Sequence, residues 1–389
     1  MDIAEVRKEH GLIDLFCNLA EIPSPSLHEE NVAKYIKSVC DESGIDCTFD
    51  DYGNVYIYIP ATTEGKEPIL LSAHMDVIGD DSAIKTYIDD EGLIHAEGRT
   101  LGADDKAGVA NALYFALWLK KSDLKHGGLE LVFTRDEESG MSGIKHFDTT
   151  KLKSKYALVL DSDSLGQFMT SGASYTLASI DLHTNKGGHS GIDIADTTRE
   201  NAAKLIADLV SVLPQGVFYS DEVTHQVVTS CNIGGIQSGK LEVTNIINQD
   251  AKVTYSIRSS SRDKENELKN LMKFHVDEFN KEYEGIALAQ LKFVEHLPPF
   301  EKGWDNFMPQ MFELSAKTVG VEPEVGSFHA GAETHIYANS CNSKNEKMLP
   351  FLVGLADVRN MHCKEENVSY KSMLKGQEVL RQFFLDFNK

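Results

Sequence analysis

Several side chains that can bind a metal ion lie where a predicted strand of this sequence ends and a polar or glycine-rich loop begins. His74 and Asp76 follow the apolar run 69–73, and Asp104 lies inside the glycine-rich stretch 98–108. Later in the chain, four further side chains take the same kind of position: Glu137, Glu138, Asp161 and His362. Histidine nitrogens and carboxylate oxygens are donors that zinc and similar borderline ions accept. Together, these residues predict a site for a pair of metal ions.

The spacing of the first residues indicates how they would share the work. His74 and Asp76 are one residue apart, so an extended backbone places both side chains on the same face. A histidine ligand normally has its second ring nitrogen held by a carboxylate or a carbonyl, which fixes its tautomer and raises its basicity. Asp76 could hold His74 in this way. Asp104 and Asp105 lie side by side in a glycine turn that would hold them rigidly, and a carboxylate there could bridge two cations through its two oxygens.

The neighbouring glutamates, Glu137 and Glu138, follow an apolar strand and precede a Ser-Gly pair. Beside a metal ion such a pair divides the chemistry. One carboxylate would ligate the metal, and the other would take a proton from the attacking water and later pass it to the leaving amine. The pair therefore favours a hydrolase over a site that only stores a metal ion.

Hydrophobic periodicity predicts the elements that hold these residues. Apolar residues three and four positions apart predict helices over 3–20, 28–43 and 106–121. The segment 23–26 separates the first two helices and can cap the second. Short apolar or alternating runs predict the following strands: 55–59, 69–73, 129–134 and 157–160. Strands that alternate with helices predict a largely parallel sheet covered on both faces, with sites at the carboxyl ends of the strands.

The pattern changes after about residue 173. The order becomes strand, helix, strand, helix over 175–183, 197–213, 252–256 and 263–283, which predicts a small sheet with two helices on one face. Helical spacing returns over 307–319 and 370–387. We therefore predict an α/β domain formed by 1–172 and 301–389. A smaller α+β domain formed by 173–300 interrupts it.

Composition excludes several classes of partner. The 389 residues include 38 Lys and Arg against 60 Asp and Glu, for a formal net charge of −22. Nucleic acids and anionic membranes require a basic face, so neither is expected. No apolar run approaches the roughly 20 residues of a membrane span, and the start of the chain lacks the pattern of a signal peptide. The six cysteines are scattered without a Cys-x-x-Cys pair. A soluble, reduced, cytoplasmic protein is expected.

The sequence resembles the M20 family of co-catalytic zinc metallopeptidases. The resemblance rests on motifs that occur in the family's order: His74-x-Asp76, 102–108, 136–140, Asp161, 187–191 and Asn360-x-His362. Length and the motif at 104–108 are similar to peptidase T-like aminopeptidases, whereas 138–143, 187–191 and 329–333 are similar to Xaa-His dipeptidases. This resemblance implies a zinc-exopeptidase catalytic domain and a ferredoxin-like insert that acts as lid and dimerisation domain. It also implies a cis peptide bond between Asp104 and Asp105.

The resemblance implies a role for each matching position. His74 and Asp161 would bind one zinc ion, Glu138 and His362 the other, and Asp104 would bridge them. The family also implies that Glu137 is the general base and that Asp76 is the partner of His74. His189 would polarise the scissile carbonyl, and Arg258 with Asn232 would bind the substrate carboxylate. Cys363 departs from the small residue or proline that many members carry after the last ligand, and its thiol could ligate a metal or oxidise.

These observations lead to one principal hypothesis and two alternatives. The principal hypothesis is an exopeptidase that removes the N-terminal residue of dipeptides or tripeptides, with two Zn²⁺ ions, or Co²⁺ or Mn²⁺ in their place. The first alternative is an amidohydrolase that deacylates N-acyl amino acids. The second is a metal-binding scaffold without turnover. A homodimer formed through the inserted domain is expected, since its strand-like segments could pair edge to edge.

Overall fold

The structure is a computed structural model that describes residues 2–303 and 306–389. Met1, at the start of the first predicted domain range, and Trp304 and Asp305, within its second part, lie outside the described residues. The chain divides into two compact units. The first comprises Met1–Thr170, Lys302–Gly326 and Ala332–Lys389, and the second comprises Ser171–Glu301 and Ser327–Gly331.

Helices are numbered along the chain. Within the described residues they are α1 (Ile3–Glu9), α2 (Gly11–Ala20), α3 (Glu30–Glu42), α4 (Ala103–Lys120), α5 (Ser142–His146), α6 (Ala202–Val212), α7 (Arg262–Glu282), α8 (Phe307–Thr318), α9 (Thr334–Ala338) and α10 (Tyr370–Phe387), with a short 3₁₀ turn at Thr149–Lys151. The predicted helix 3–20 is two helices, because His10 has an extended backbone at the end of α1.

Strands are numbered in the same way. They are β1 (Asp46–Phe49), β2 (Val55–Ile59), β3 (Ile69–His74), β4 (Thr86–Ile88), β5 (Leu93–Ala96), β6 (Leu129–Thr134), β7 (Tyr156–Val159), β8 (Gln167–Gly172), β9 (Tyr175–Thr184), β10 (Gly188–His189), β11 (Gly216–Ser220), β12 (Val227–Ser238), β13 (Ile246–Ile247), β14 (Asp250–Ser259), β15 (Ala287–Leu297), β16 (Glu324–Phe328), β17 (Leu349–Val353), β18 (Val358–Arg359) and β19 (Asn367–Ser369).

The first unit is built on a mixed sheet with the strand order β1-β2-β6-β3-β7-β17-β8-β16. The four central strands, β6, β3, β7 and β17, are parallel to one another. Every residue of β3 and of β6 is buried, as their continuous apolar runs predict for strands covered on both faces. The α/β class is confirmed, and antiparallel pairs on either side of the parallel centre make the sheet mixed.

Helix α4 begins with the glycine-rich stretch and packs on β3 as well as on α2 and α10. Nearly all of its residues from Ala103 to Ala116 are buried, because after the charged first turn the segment has apolar residues on all of its faces. The predicted cap of α3 by the segment 23–26 is wrong. Glu29 is the N-cap residue and makes no side-chain cap bond, and Ser26 instead donates its hydroxyl to Asp76 Oδ2 at 2.7 Å. The small sheet β18-β19-β5-β4 was not predicted, because strands of two to four residues are too short to show a period.

The second unit is a ferredoxin-like sandwich, as expected. Strands β9, β12, β14 and β15 with helices α6 and α7 follow the βαββαβ order, and the five-stranded antiparallel sheet is ordered β11-β12-β14-β9-β15. Alternate residues of β9 and β14 pack with one face of each helix into a separate hydrophobic core. Helix α6 begins at Ala202 rather than at the predicted residue 197. Its N-cap is Asn201, whose side chain accepts the N–H of Ala203.

Among the residues that the structure describes, no helix is both long enough and apolar enough to span a membrane.

Candidate metal centre

The predicted ligands of the first unit meet at one edge of its sheet. His74 is the last residue of β3, and Asp161 follows β7 by two residues. Glu138 lies in the loop after β6, and Asp104 lies at the start of α4. Because β3, β6 and β7 are parallel, their carboxyl ends bring these loops together. His362 joins them from the loop between β18 and β19.

Asp104 lies between the two histidines. Its Oδ1 is 3.3 Å from His74 Nε2, and its Oδ2 is 3.1 Å from His362 Nε2. The side chain of Asp104 is 12% exposed, so both oxygens are directed into the protein by the surrounding loops. The peptide bond between Asp104 and Asp105 is cis, as predicted. A carboxylate with one oxygen toward each histidine has the arrangement that a bridging ligand requires.

Each histidine also approaches a second carboxylate. His74 Nε2 is 3.6 Å from Asp161 Oδ1, and His362 Nε2 is 3.1 Å from Glu138 Oε2. The donor atoms of His74, Asp104 and Glu138 lie within 4.8 Å of one another, as do those of His74, Asp105 and Asp161. All five predicted metal ligands are thus gathered in one cluster. Asp105, which was not assigned as a ligand, lies close beside them.

Asp76 organises the loop after β6 as well as the imidazole of His74. His74 Nδ1 lies 3.0 Å from the backbone oxygen of Asp76 and 3.4 Å from its Oδ1. The carboxylate of Asp76 accepts the N–H of Glu137 on Oδ1 at 2.9 Å and the N–H of Glu138 on Oδ2 at 3.1 Å. Since Asp76 is completely buried, these donors replace the water that its charge has lost.

The loop that contains Glu137 and Glu138 is held in place by contacts of its first residues. Asp136 has a left-handed backbone with φ 54, a conformation that a non-glycine residue keeps only when its surroundings enforce it. Here the enforcing contact is the buried carboxylate of Glu29, which accepts the N–H of Asp136 at 3.0 Å. Arg135 Nε donates to the same carboxylate at 2.6 Å. No local pattern indicates this role of Glu29, because the two segments are over a hundred residues apart.

The protonation behaviour of the cluster follows from its burial. Desolvation raises the pKa of Glu138 to about 7 and that of Asp161 to about 6, and it raises the pKa of Glu137 well above its ordinary value. The pKa of His74 is also raised well above its ordinary value, because the nearby carboxylates outweigh the burial that opposes its charge. A hydrogen bond to Asp104 raises the pKa of His362 to about 9.

Glu138 Oε1 is buried and has no hydrogen-bond partner among the described residues, although its Oε2 faces His362. An unsatisfied buried carboxylate oxygen beside two imidazole nitrogens fits a bound divalent cation. The donor set, two nitrogens and several oxygens with no thiolate, suits zinc, manganese or cobalt. Cys363 is exposed, and its thiol donates to the backbone oxygen of Asn360 at 3.0 Å.

His189 lies in the second unit, on β10, where its side chain is exposed. Its Nδ1 accepts the N–H of Gly191 at 3.1 Å and approaches the N–H of Ile192 at 3.3 Å. A nitrogen that accepts carries no proton, so the neutral ring has its proton on Nε2. The backbone N–H of His189 donates to Asp193 Oδ2 at 2.7 Å, which fixes the turn. The ring is therefore held ready to donate a hydrogen bond from Nε2.

Arg258 and Asn232 share the face of the second unit's sheet that lies opposite its helices. Ser230 is paired with Arg258 across β12 and β14, and Asn232 is paired with Ser256. The guanidinium of Arg258 stacks 4.4 Å from the ring centre of Tyr175, and burial lowers its pKa. Asn232 is held by a hydrogen bond from Gln215 Nε2 at 2.9 Å.

His329 also belongs to this corner of the second unit. Its Nε2 lies 2.7 Å from Ser230 Oγ, on the residue paired with Arg258. Burial and the neighbouring charge of Arg258 lower the pKa of His329, which keeps its ring neutral. The motif at 329–333 carries the resemblance to Xaa-His dipeptidases, and the contact of its histidine with Ser230 depends on folding, because the two residues are 99 positions apart.

The comparisons with known proteins agree with this arrangement. The peptidase family M20/M25/M40 matches residues 70–386. A peptidase T from Fusobacterium nucleatum is 24% identical over 397 residues, which cover 98% of this chain and 89% of that protein. The cytosol non-specific dipeptidase of Escherichia coli is 33% identical over 213 residues, which cover 47% of this chain and 43% of that protein. The crystal structure of aminopeptidase PepT from Bacillus cereus matches with a TM-score of 0.86 at 24% identity, over 97% of this chain and 98% of that chain.

The parallel centre of the sheet brings His74 and several carboxylates to one edge, where His362 joins them from the loop between β18 and β19, and this arrangement is typical of a metallohydrolase. Since the family match spans most of the chain, the protein belongs to peptidase family M20/M25/M40 and is a metallopeptidase that acts on peptides.

Proposed function

We propose that the protein is an exopeptidase that removes the N-terminal residue of dipeptides and tripeptides at a dinuclear metal centre. The observation that carries this proposal is the position of Asp104, whose two oxygens face His74 and His362 separately. His74 with Asp161 would hold one ion and His362 with Glu138 the other, with Asp104 between them. Zinc is the expected metal, with Co²⁺ or Mn²⁺ as substitutes.

When bound, the two ions would lower the pKa of the attacking water and polarise the scissile carbonyl. Glu137 would take the proton of that water and transfer it to the leaving amine. Its position favours this role, because Asp76 fixes its backbone beside the ligand Glu138 while its side chain remains only partly exposed. A base whose pKa is raised by burial holds its proton strongly enough to act as the acid in the second step.

Two groups of the second unit would act on the substrate. His189, with its proton on Nε2, would donate a hydrogen bond to the carbonyl oxygen as negative charge develops there. Arg258 would bind the C-terminal carboxylate of a short peptide, and Asn232 on the same sheet face would contribute a second polar contact. A free carboxylate close to the cleaved bond limits the substrate to a few residues.

A homodimer formed through the second unit is part of the proposal. Strand β11 pairs with β12 only from Val227 to Cys231, whereas β14 pairs with β12 as far as Ser238. Within the described ranges, 2–303 and 306–389, no strand pairs with the outer edge of β12 at residues 234–238. Ile236 on this segment is 52% exposed. An open edge with an exposed apolar residue favours pairing with a second copy. Sedimentation of the purified protein tests the dimer.

A peptide panel read by mass spectrometry tests the proposed reaction. The metal-free protein is reconstituted with Zn²⁺, Mn²⁺ or Co²⁺ and given Ala-Ala-Ala, β-Ala-His and N-acetylalanine. Release of the N-terminal residue from the two peptides, with N-acetylalanine untouched, is the expected result. Cleavage of N-acetylalanine alone would establish the deacylase instead, since that substrate has no free amine. Full metal occupancy without cleavage of any member would point to the scaffold.

A further inference from the structure

The side chain of Glu366 is buried against the loop that carries Asp104. Its exposed fraction is 1%, which is low for a glutamate in a loop. Its Oε2 accepts the N–H of Gly102 at 2.8 Å and the hydroxyl of Thr100 in a short hydrogen bond. Its Oε1 accepts the N–H of Asp104 at 3.1 Å. Three donors of one loop therefore converge on a single carboxylate.

The loop has little freedom to adopt another path at this point. Gly102 has φ 74, in the left-handed region that favours glycine. A Cβ on Gly102 would lie 2.5 Å from Val77 Cγ1, so the backbone passes directly over that side chain. Glu366 holds it as well, through the N–H groups of Gly102 and Asp104. The backbone between Gly102 and Asp104 is thus fixed by two separate contacts, and the direction of the Asp104 side chain follows from it.

Glu366 also follows His362 by four residues in the same loop. The carboxylate therefore ties the segment that supplies His362 to the segment that supplies Asp104. Those two side chains meet at 3.1 Å between Nε2 and Oδ2. A change in the length or charge of residue 366 is therefore expected to alter the position of Asp104 relative to His362, although neither of those residues is itself changed.

We propose that Glu366 is a positioning residue of the dinuclear centre, which holds the 100–104 loop so that one oxygen of Asp104 is directed to each metal position. The inference rests on the proposed function, because it concerns the bridging role of Asp104. Glutamine cannot replace this carboxylate. The single oxygen of a glutamine side chain can accept from only one of the two positions that the carboxylate oxygens occupy. Its NH₂ group would then face the N–H of Gly102 or that of Asp104, and this buried N–H would have no acceptor.

Metal binding, measured without any substrate, tests the proposal. Metal-free wild-type protein and Glu366→Gln are titrated with Mn²⁺, with stoichiometry from calorimetry and the coupling between the two ions from electron paramagnetic resonance. Wild-type protein is expected to bind two ions that give a coupled spectrum. Glu366→Gln should bind the second ion about 10–100-fold more weakly and lose the coupled spectrum, as expected when the partner of a ligand is removed. Glu365→Gln, whose side chain is 58% exposed, is the matched control and should behave as wild type.

A purely structural role gives a different result. Glu366→Gln would then lower the melting temperature of the metal-free protein but keep both ions and their coupling, and this outcome would overturn the proposal. If Glu366→Gln does not fold, the same titration is carried out on Thr100→Val, which removes only one of the three donors to Glu366. A several-fold weaker second ion supports the proposal, and unchanged binding contradicts it. A wild-type protein that binds fewer than two ions would instead contradict the proposed dinuclear function, so the two failures are distinct.

Discussion

Asp76 accepts the backbone N–H of Glu137 on Oδ1 at 2.9 Å, so the carboxylate beside His74 also sets the position of the proposed base. Its other oxygen accepts the N–H of Glu138. A single buried aspartate therefore connects the end of β3 with the loop after β6. Hydrogen bonds with His74, Glu137 and Ser26 outweigh the burial that opposes its charge and lower the pKa of Asp76 to about 2. It is ionised throughout the range in which the enzyme would work.

Asp76→Asn should lower kcat/KM about 10–100-fold while the protein remains folded. An amide has one oxygen, so either the N–H of Glu137 or that of Glu138 loses its acceptor, and the partner of His74 loses its charge. Steady-state kinetics on the best substrate of the peptide panel measure the effect. Ser26→Ala removes one donor to Asp76 and keeps the carboxylate, so it is the control and should cost much less. Equal losses in the two variants would contradict the role of Asp76.

Glu137→Gln should keep both metal ions but lose about 10²–10⁴-fold in turnover, since proton transfer is removed while the ligands remain. Metal content by mass spectrometry and single-turnover rates are measured on the same sample. Glu138→Gln is the informative contrast, because it should lose metal as well as activity. The assignment of the base is wrong if Glu137→Gln, with full metal, turns over as fast as the wild type.

The metal-free protein should lose stability as the pH rises from about 4.5 to about 7. Burial raises the pKa of Glu138 to about 7 in the folded state, compared with about 4.3 in the unfolded chain. The folded state therefore binds more protons over this interval, and its free energy of unfolding decreases as the pH increases. Urea unfolding at pH 4.5, 5.5 and 6.5 measures the slope of the free energy of unfolding against pH.

Glu138→Gln should reduce that slope, because the amide does not titrate, and Glu365→Gln should leave it unchanged. Saturating Zn²⁺ should also reduce the slope in the wild-type protein, since a bound cation favours the ionised carboxylate. Identical slopes in wild-type protein and in Glu138→Gln would show that Glu138 does not contribute to the slope, which would then come from groups such as Asp161 and Glu137, whose pKa values are also raised.

Mixing Glu137→Gln with His189→Ala protein tests whether His189 acts on its own chain or on a partner. Each variant alone should be nearly inactive. If His189 acts across a dimer, subunit exchange should restore part of the activity, because one site of the mixed dimer has both groups intact. Lack of recovery after proven exchange, or a monomer by sedimentation, would exclude a shared site.

The sequence indicates the elements and the candidate ligands that have a local pattern, but not the buried glutamates whose contacts are distant along the chain. The continuous apolar runs of β3 and β6 predict buried strands, and His74 is the last residue of β3. Glu366 and Glu29 have no such pattern, because their donors lie in segments that approach only after folding. Ser26 looked like a helix cap because its neighbours suit one, but Asp76 provides it with a stronger acceptor.

The two histidines that face Asp104 are roughly 290 residues apart along the chain, so the ribosome makes His362 long after His74. At synthesis rates of about 5–20 residues per second, the interval between them is on the order of 15 s to one minute. During that time the growing chain contains His74, Asp104 and Glu138 but not the last imidazole. A nascent chain therefore acquires its complete set of donors only once residue 362 has been made, so the proposed second ion can be bound only after that point.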